Sequence, residues 1–284
     1  MKTRIITAIL ILAIAIPTFV LSGTVVYPIV LALVSGFSLF ELLRVLGFEK
    51  KLPVAIPSYL IAIALPPIAY FAGDRLADYT IFCGAVLYAY LLYLMFLSVF
   101  SKGKLKFTRM AGVFCLTAYV TVAFASLCAI RGIDNGAFFF GIAFICSWVS
   151  DVFAFFTGVL FGKHKLIPEI SPKKTVEGCI GGIIFATAAM LVYGLIIDLF
   201  FDYIEVRYHV LALMGLVLSA ISQVGDLVAS SIKREEGVKD YGTLLPGHGG
   251  ITDRFDSVYA IAALVLVICV LYPPFLSIYS AIIP

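Results

Sequence analysis

The sequence predicts an all-α polytopic membrane protein with about nine transmembrane helices, and two observations support this fold class. The 284 residues are 62% hydrophobic, with a mean hydropathy of +1.10, and only 13% are charged. Soluble domains carry about 25% charged residues, so a soluble protein is excluded. In addition, apolar segments of about 20 residues, the length that crosses a bilayer, recur along the whole chain. They run over 4–21, 24–43, 53–72, 79–100, 110–130, 137–161, 179–201, 208–232 and 255–282.

The first of these segments is similar to a secretory signal peptide. MKTRIITAILILAIAIPTFV begins with basic residues and continues as an apolar run. A second long apolar segment follows at once, so we interpret the first as an uncleaved transmembrane helix. The six cysteines lie in or beside apolar runs without any C-x-x-C pair, which favours small buried residues over a disulfide or zinc framework.

The basic residues predict how the helices are oriented. Cytoplasmic loops of membrane proteins gather Lys and Arg. When the N-terminus and the even-numbered loops are placed on one side, that side holds 17 of the 20 basic residues, and the other holds Arg75, Arg131 and Arg207. A miscounted helix in the middle would scramble this split. We therefore predict nine helices, a cytoplasmic N-terminus and a C-terminus outside.

The polar residues divide the chain into two predicted regions. Residues 1–135, with helices one to five, carry almost no internal charge and are predicted to form a transmembrane scaffold. Residues 136–284 are predicted to form a catalytic transmembrane region with two long cytoplasmic loops, 162–178 and 233–254. Any chemistry is therefore expected at the cytoplasmic face.

Two acidic residues lie inside predicted spans, where charges are costly and usually face a cavity or a partner. Asp226 lies seven residues before Lys233, so it is about 10 Å deeper along the helix. Ser222 and Ser230 lie four residues on either side and share its face. This polar stripe predicts a site, although a polar clamp between helices is the alternative. Asp151 is either a metal ligand or supporting group, or an acid paired with a nearby Lys or Arg.

The stretch KDYGTLLPGHGGITDRFDS, residues 239–257, concentrates charge between apolar segments. Asp253 and Asp256 are three residues apart at the start of the last helix, and like charges so close repel unless a cation lies between them. With Asp226 as a third carboxylate, we expect a hard divalent cation such as Mg²⁺, and a second cation is plausible. The glycine turn before this helix can bring backbone N–H groups to an anion, which predicts a phosphate site.

Basic residues on the same side fit a polyanionic substrate. They are Lys173, Lys174, Lys233, Arg234, Lys239 and Arg254. Attraction to anionic lipid headgroups is the alternative role, and it suits Lys50, Lys51, Lys102, Lys104 and Lys106 at least as well. The sequence contains neither H-E-x-x-H nor G-x-S-x-G, so a zinc protease and a serine hydrolase are not indicated.

Two segments resemble one known family. The run from Ser230-Ser-Ile-Lys-Arg through Lys239-Asp240 and Gly242 to Leu245-Pro-Gly-His-Gly-Gly-Ile-Thr-Asp-Arg-Phe-Asp256 resembles the phosphatidate cytidylyltransferases, also called CDP-diacylglycerol synthases. Ser171-Pro-Lys-Lys-Thr-Val-Glu-Gly178 resembles the same family. Together these segments cover the last four helices, whereas the first five resemble the family only in length and apolarity.

The resemblance implies a reaction. CTP and phosphatidic acid would give CDP-diacylglycerol and pyrophosphate, with Mg²⁺ required. Metal ligands would come from Asp226, Asp253, Asp256 and Asp151. The implied catalytic residues are Asp226, Asp253, Lys233, Arg234, His248 and Arg254, where His248 either donates to the pyrophosphate or shapes the turn. The implied substrate-binding residues are Ser171, Lys173, Lys174, Thr175, Ser230, Lys239, Asp240, Gly249 and Gly250.

Two other functions remain open from the sequence. A CTP-using lipid kinase would share a cytidine-nucleotide site, but the complete run from Ser230 to Asp256 argues against it. An ion-coupled transporter would place its site near the midplane between related halves, whereas here the acids cluster at one end. The expected partners are CTP, phosphatidic acid and the lipid bilayer, without nucleic acid, in a bacterial inner membrane. Spacings such as Gly158/Gly162 and Gly178/Gly182 are compatible with a homodimer and equally with packing inside one chain.

Overall fold

The computed structural model describes residues 2–247 and 249–277, and helices dominate it. In chain order they are α1 (Lys2–Val20), α2 (Val26–Val45), α3 (Leu52–Ala72), α4 (Leu76–Phe100), α5 (Phe107–Gly132), α6 (Gly136–Phe144), α7 (Ser150–Phe161), α8 (Val176–Phe200), α9 (Tyr208–Glu235) and α10 (Thr252–Leu271). A π-helical segment, Ile145–Val149, joins α6 and α7 into one helix, Gly136–Phe161.

Membrane spans account for most of these helices. Among the described residues, eight helices are long and apolar enough to cross a membrane, with α6 and α7 taken as one. These results confirm the predicted all-α membrane fold. The eight do not include α1, so the count of nine and the sidedness of the two termini stay predictions.

The last helix is shorter than the sequence predicts. α10 ends at Leu271 rather than near residue 282. Pro273 and Pro274 follow, and proline lacks the N–H that a helix needs and disfavours helical geometry in the residue before it. Within the described residues four short strands also form two antiparallel pairs, β1 (Lys165–Ile167) with β2 (Ser171–Thr175), and β3 (Ile204–Val206) with β4 (Phe275–Ser277).

The chain divides into two compact units. Unit 1 comprises Met1–Ile133 and Glu235–Phe255, and unit 2 comprises Asp134–Arg234 and Asp256–Pro284. The first boundary lies close to the predicted one at residue 135. The segment Glu235–Phe255, however, belongs to the same unit as the N-terminal helices. The predicted division into a scaffold and a catalytic region concerns function and stays a prediction.

Unit 1 has its apolar core between α2, α3, α4 and α5. The buried residues of this core are Leu39, Leu43, Phe48, Val54, Ala55, Ala62, Tyr90, Leu94, Met110 and Val113. Inside the core the hydroxyls of Ser58 and Tyr90 lie 2.6 Å apart and share a hydrogen bond. The core fixes the end of α2, which contacts the segment Glu235–Phe255 described below.

Unit 2 is held by close packing of α7 against α8 through glycines. A Cβ at Gly178 would lie 2.6 Å from the Ala154 carbonyl oxygen, and one at Gly182 would lie 2.7 Å from the Ser150 carbonyl oxygen. Small residues let two helix backbones approach in this way. The predicted small-residue spacings therefore serve contacts inside the chain.

Candidate active site

A tight glycine turn lies between α9 and α10, in unit 1. Gly247 and Gly249 have φ angles of 81° and 85°, the left-handed region that favours glycine. The Leu245 N–H donates to the Gly249 carbonyl oxygen over 3.0 Å and closes the turn. His248, a predicted catalytic residue of this turn, lies outside the described residues.

Asp253, in the first turn of α10, organises this segment. Its Oδ2 atom accepts hydrogen bonds from the backbone N–H groups of Tyr241 and Gly250, each over 2.9 Å. These bonds tie both ends of the stretch 241–250 to one carboxylate. Asp253 therefore has an ordering role in the structure, and its predicted metal-binding role stays a prediction.

A second carboxylate, Glu41 of α2, reaches the same segment. Glu41 is only 2% exposed and accepts from the Ile251 N–H over 3.1 Å and the Thr252 N–H over 2.9 Å. The sequence predicts that N–H groups at the start of this helix bind a ligand anion. In the structure the N–H groups of Gly250, Ile251 and Thr252 donate to protein carboxylates instead.

Sequence reasoning missed Glu41. It lies within the predicted span 24–43, in a region predicted to be a scaffold with almost no internal charge. An acidic residue inside a span is itself a signal of a cavity or a partner. That signal could have identified the residue, although its hydrogen-bonding partners, more than 200 positions away in the chain, could not have been identified.

A polar cavity of about 470 Å³ lies at the glycine turn. Four predicted site residues line it, namely Lys239, Asp240, Gly249 and Arg254. Its size is within the range of small-molecule sites, about 300–1,000 Å³. Two cations and a glycine turn in one cavity suit a ligand that carries phosphate groups.

In unit 2 the predicted residues Lys174 and Asp226 form an ion pair. Lys174 Nζ lies 2.5 Å from Asp226 Oδ2, and about a quarter of each side chain is exposed. Lys174 belongs to β2, and Asp226 belongs to the second half of α9, which is predicted to lie towards the cytoplasm. The pair therefore joins the predicted loop 162–178, in which the structure has the hairpin β1–β2, to the polar stripe of α9.

The polar stripe of α9 faces inward. Ser222 and Lys233 are buried, and Ser230 and Asp226 are partly buried. On the opposite side Val224 and Val228 are exposed. A helix that turns Asp226 and Lys233 inward and Val224 and Val228 outward is typical of a membrane helix beside a polar interior.

Asp256, on the part of α10 that belongs to unit 2, is another buried acid. It is 8% exposed and interacts electrostatically with Asp226, Asp151 and Lys233. Its Oδ1 accepts from the Ser257 N–H over 2.9 Å. The structure thus places three of the predicted acids within electrostatic range in one unit.

Asp151 is connected to α10 by hydroxyl groups. The Ser257 hydroxyl donates to Asp151 Oδ2 over 3.0 Å, and the Ser147 hydroxyl donates to the Ser257 oxygen over 2.8 Å. Ser147 lies in the π-helical segment, a kind of distortion that often marks functional sites. Sequence reasoning missed both serines, although Ser147 lies four residues before Asp151, the same spacing that relates Ser222 to Asp226.

The acidic side chains of the site can be tested for whether they would bind the predicted Mg²⁺. Among the residues that the structure describes, no group of three or more His, Cys, Asp or Glu side chains is arranged to hold a metal ion. The donor chemistry of Asp151, Asp226 and Asp256 nonetheless fits a hard cation, since Mg²⁺ prefers carboxylate and water oxygens. The predicted pairing of Asp226 with Asp253 involves both units and stays a prediction.

The remaining predicted residues of unit 2 lie on the hairpin and at the end of α9. Ser171, Lys173 and Thr175 belong to β2, where Lys173 is exposed. The Thr175 hydroxyl accepts from the Gly178 N–H over 3.1 Å and caps α8. Arg234 donates from Nε to the Ile170 carbonyl oxygen over 3.3 Å, so it also contacts the hairpin loop.

Comparisons with known proteins show the family of the chain. The family model described as "Cytidylyltransferase family" matches residues 2–272. A phosphatidate cytidylyltransferase of Staphylococcus haemolyticus is 38% identical over 266 residues, which cover 90% of this chain and 94% of the relative. One of Bacillus subtilis is 37% identical over 261 residues, with 90% and 93% covered. The chain, an integral membrane transferase, therefore belongs to the cytidylyltransferase family.

Proposed function

We propose that this chain transfers CMP from CTP to phosphatidic acid and so makes CDP-diacylglycerol and pyrophosphate for phospholipid biosynthesis. The observation that supports this most is the polar cavity at the glycine turn, lined by Lys239 and Arg254. The relatives that match nine tenths of this chain are named phosphatidate cytidylyltransferases.

The chemistry needs little from a general base. A phosphate oxygen of phosphatidic acid attacks the α-phosphorus of CTP, and the bond from that phosphorus to the oxygen bridging to the β-phosphate breaks. Pyrophosphate leaves with the bonding electrons. A phosphomonoester has its second pKa near 6, so the nucleophile is already ionised at neutral pH. Positioning and charge compensation are therefore the main tasks of the protein.

The side chains of unit 1 contribute to positioning and to charge compensation. Lys239 and Arg254 compensate phosphate charge in the cavity, and the glycine turn brings the backbone close to the ligand. Asp253 keeps Tyr241 and Gly250 in place through its two backbone hydrogen bonds. We assign the CTP phosphates to this cavity.

The side chains of unit 2 supply further charges. Lys174, Lys233 and Arg234 compensate negative charge on the two substrates. Asp226, Asp256 and Asp151 would hold Mg²⁺ and any second cation. Such an ion neutralises phosphate charge when bound.

The location follows from the substrates. Phosphatidic acid keeps its acyl chains in the bilayer and presents its phosphate at the interface, whereas CTP is a cytoplasmic nucleotide. We propose an active site that faces the cytoplasm in a bacterial inner membrane, because the basic residues of the long loops are predicted on that side.

A product assay tests the proposal. Purified protein in detergent receives CTP, phosphatidic acid and Mg²⁺, and pyrophosphate, CDP and CDP-diacylglycerol are measured. We expect equal amounts of pyrophosphate and CDP-diacylglycerol, and a loss of about a hundredfold in Asp253→Asn. Asp78→Asn, which changes another acid in the first turn of a unit 1 helix, is the matched control.

Two results would contradict the proposal. Release of CDP with a phosphorylated lipid would identify a kinase. Full activity in Asp253→Asn would exclude the assigned role of this carboxylate.

A further inference from the structure

Glu41 has a role that the proposed chemistry does not use. It is a buried carboxylate on a membrane helix, and a buried charge is costly unless hydrogen bonds compensate it. Both of its oxygens are used, Oε1 by the Ile251 N–H and Oε2 by the Thr252 N–H. The carboxylate thus fixes the backbone at Ile251 and Thr252, where the chain enters α10 after the glycine turn.

Two glycines of the segment leave room for this side chain. A Cβ at Gly250 would overlap the Glu41 carboxylate, and so would a Cβ at Gly242. Gly250 is not in the left-handed region of φ, so its backbone would otherwise accept alanine. The close approach of Glu41 is therefore the physical reason for glycine at position 250.

Other contacts hold the segment to the same end of unit 1. An Arg44 guanidinium N–H donates to the Tyr241 carbonyl oxygen over 2.9 Å, one turn after Glu41 on α2. The Thr7 hydroxyl donates to the Pro246 carbonyl oxygen over 2.9 Å. The Thr252 hydroxyl donates to the Ser38 carbonyl oxygen over 3.1 Å. The cavity is thus shaped by helices that the sequence analysis interpreted as scaffold.

We propose that Glu41 is a positioning residue, which fixes the cavity-forming segment 242–252 and thereby sets the affinity for CTP. The inference rests on the proposed function, because it takes CTP as the ligand of the cavity. Glu41 touches no substrate in this role and acts only through the N–H groups of Ile251 and Thr252. Its removal should therefore weaken CTP binding more than it slows the bound enzyme.

The first test uses Glu41→Gln, which keeps the shape of the side chain but replaces one acceptor oxygen by a donor. Glu49→Gln, which removes a charge in the loop after the same helix, is the control. We expect the KM for CTP to rise about tenfold, with kcat and the KM for phosphatidic acid changed less than about twofold. We also expect faster amide hydrogen exchange in the peptide covering 250–252, a readout that needs no activity.

The second test uses steric coupling. Gly250→Ala should raise the KM for CTP in the wild-type background, where the new methyl group overlaps Glu41. In a Glu41→Ala background the same change should cost clearly less, since the space is then open. If Glu41→Gln does not yield folded protein, the comparison of the two backgrounds decides the question, and an equal cost of Gly250→Ala in both overturns the role of Glu41.

The outcomes separate the two proposals. Wild-type protein that makes no CDP-diacylglycerol overturns the proposed function, and the exchange measurement then judges whether Glu41 anchors the segment. Active protein with an unchanged KM for CTP in Glu41→Gln, or with a fall in kcat alone, overturns the role of Glu41 and leaves the function standing.

Discussion

The ion pair between Lys174 and Asp226 admits two roles at the scale of single residues. It is either a polar clamp that joins β2 to α9, or a resting contact of two groups that bind substrate and metal. Their 2.5 Å separation and partial exposure fit both roles. A charge exchange distinguishes them, because a clamp depends only on opposite charges whereas a cation site needs the carboxylate on α9.

We predict that Asp226→Asn lowers turnover about a hundredfold, as expected for the loss of a group that acts on transition-state charge. The exchange variant, Lys174→Asp with Asp226→Lys, should fold and remain inactive. Turnover and the elution profile in detergent are the measurements. Asp198→Asn, which removes an acid near the C-terminal end of α8, is the control. Recovery of activity in the exchange variant would show that the pair is only a clamp.

How far individual site residues can be predicted depends on whether their partners are close in sequence. The polar stripe on α9 could be predicted because Ser222, Asp226 and Ser230 are separated by single helical turns. Glu41 could not be assigned a partner, because its donors Ile251 and Thr252 lie about 210 positions later. Nor does the sequence show that one oxygen of Asp253 accepts hydrogen bonds from backbone N–H groups, since that depends on the path of the turn.

At the scale of elements, the hairpin β1–β2 is the clearest departure from the predicted fold. The apolar spans could be predicted because lipid requires long runs of apolar residues. The two strands could not, since they are three and five residues long and rich in lysine, without an alternating pattern. The pairing of Lys165 with Thr175 brings the start of β1 to the start of α8.

Thr175 connects this hairpin to α8, and the connection makes a testable prediction. Its hydroxyl accepts from the Gly178 N–H, as an N-cap does, so Thr175→Val should destabilise the start of α8 by about 1 kcal/mol. Since Lys174 is the preceding residue, turnover should fall as well. Thermal unfolding in detergent and the product assay are the measurements.

Two variants check this prediction. Thr175→Ser keeps the hydroxyl and should retain most of the stability and turnover. Thr80→Val removes an exposed hydroxyl that only bonds back to Leu76, and should change neither. Equal stability of Thr175→Val and Thr175→Ser would exclude the capping role.

At the scale of the whole molecule, the ends of three helices of unit 1 contact one segment. Within unit 1, Thr7 near the start of α1, Glu41 near the end of α2 and Arg109 near the start of α5 all contact the segment 235–255. The ends of these helices therefore lie on one side, as the grouping of basic residues predicts. These contacts set the directions of α1, α2 and α5 relative to one another.

The remaining question is whether α1 crosses the bilayer, and reporter fusions can answer it. α1 has 19 residues, so it is about 28 Å long, close to the bilayer core of about 30 Å. Its start and the end of α2 contact the same segment of unit 1, so α1 runs antiparallel to α2 along its length. We therefore predict that an N-terminal fluorescent reporter is cytoplasmic, whereas alkaline phosphatase fused at the C-terminus is active outside. Fusions in the connections at Gly103 and Asn135 calibrate the inside and outside signals. An N-terminal reporter found outside, with the C-terminus also outside, would show eight spans and an α1 that does not cross.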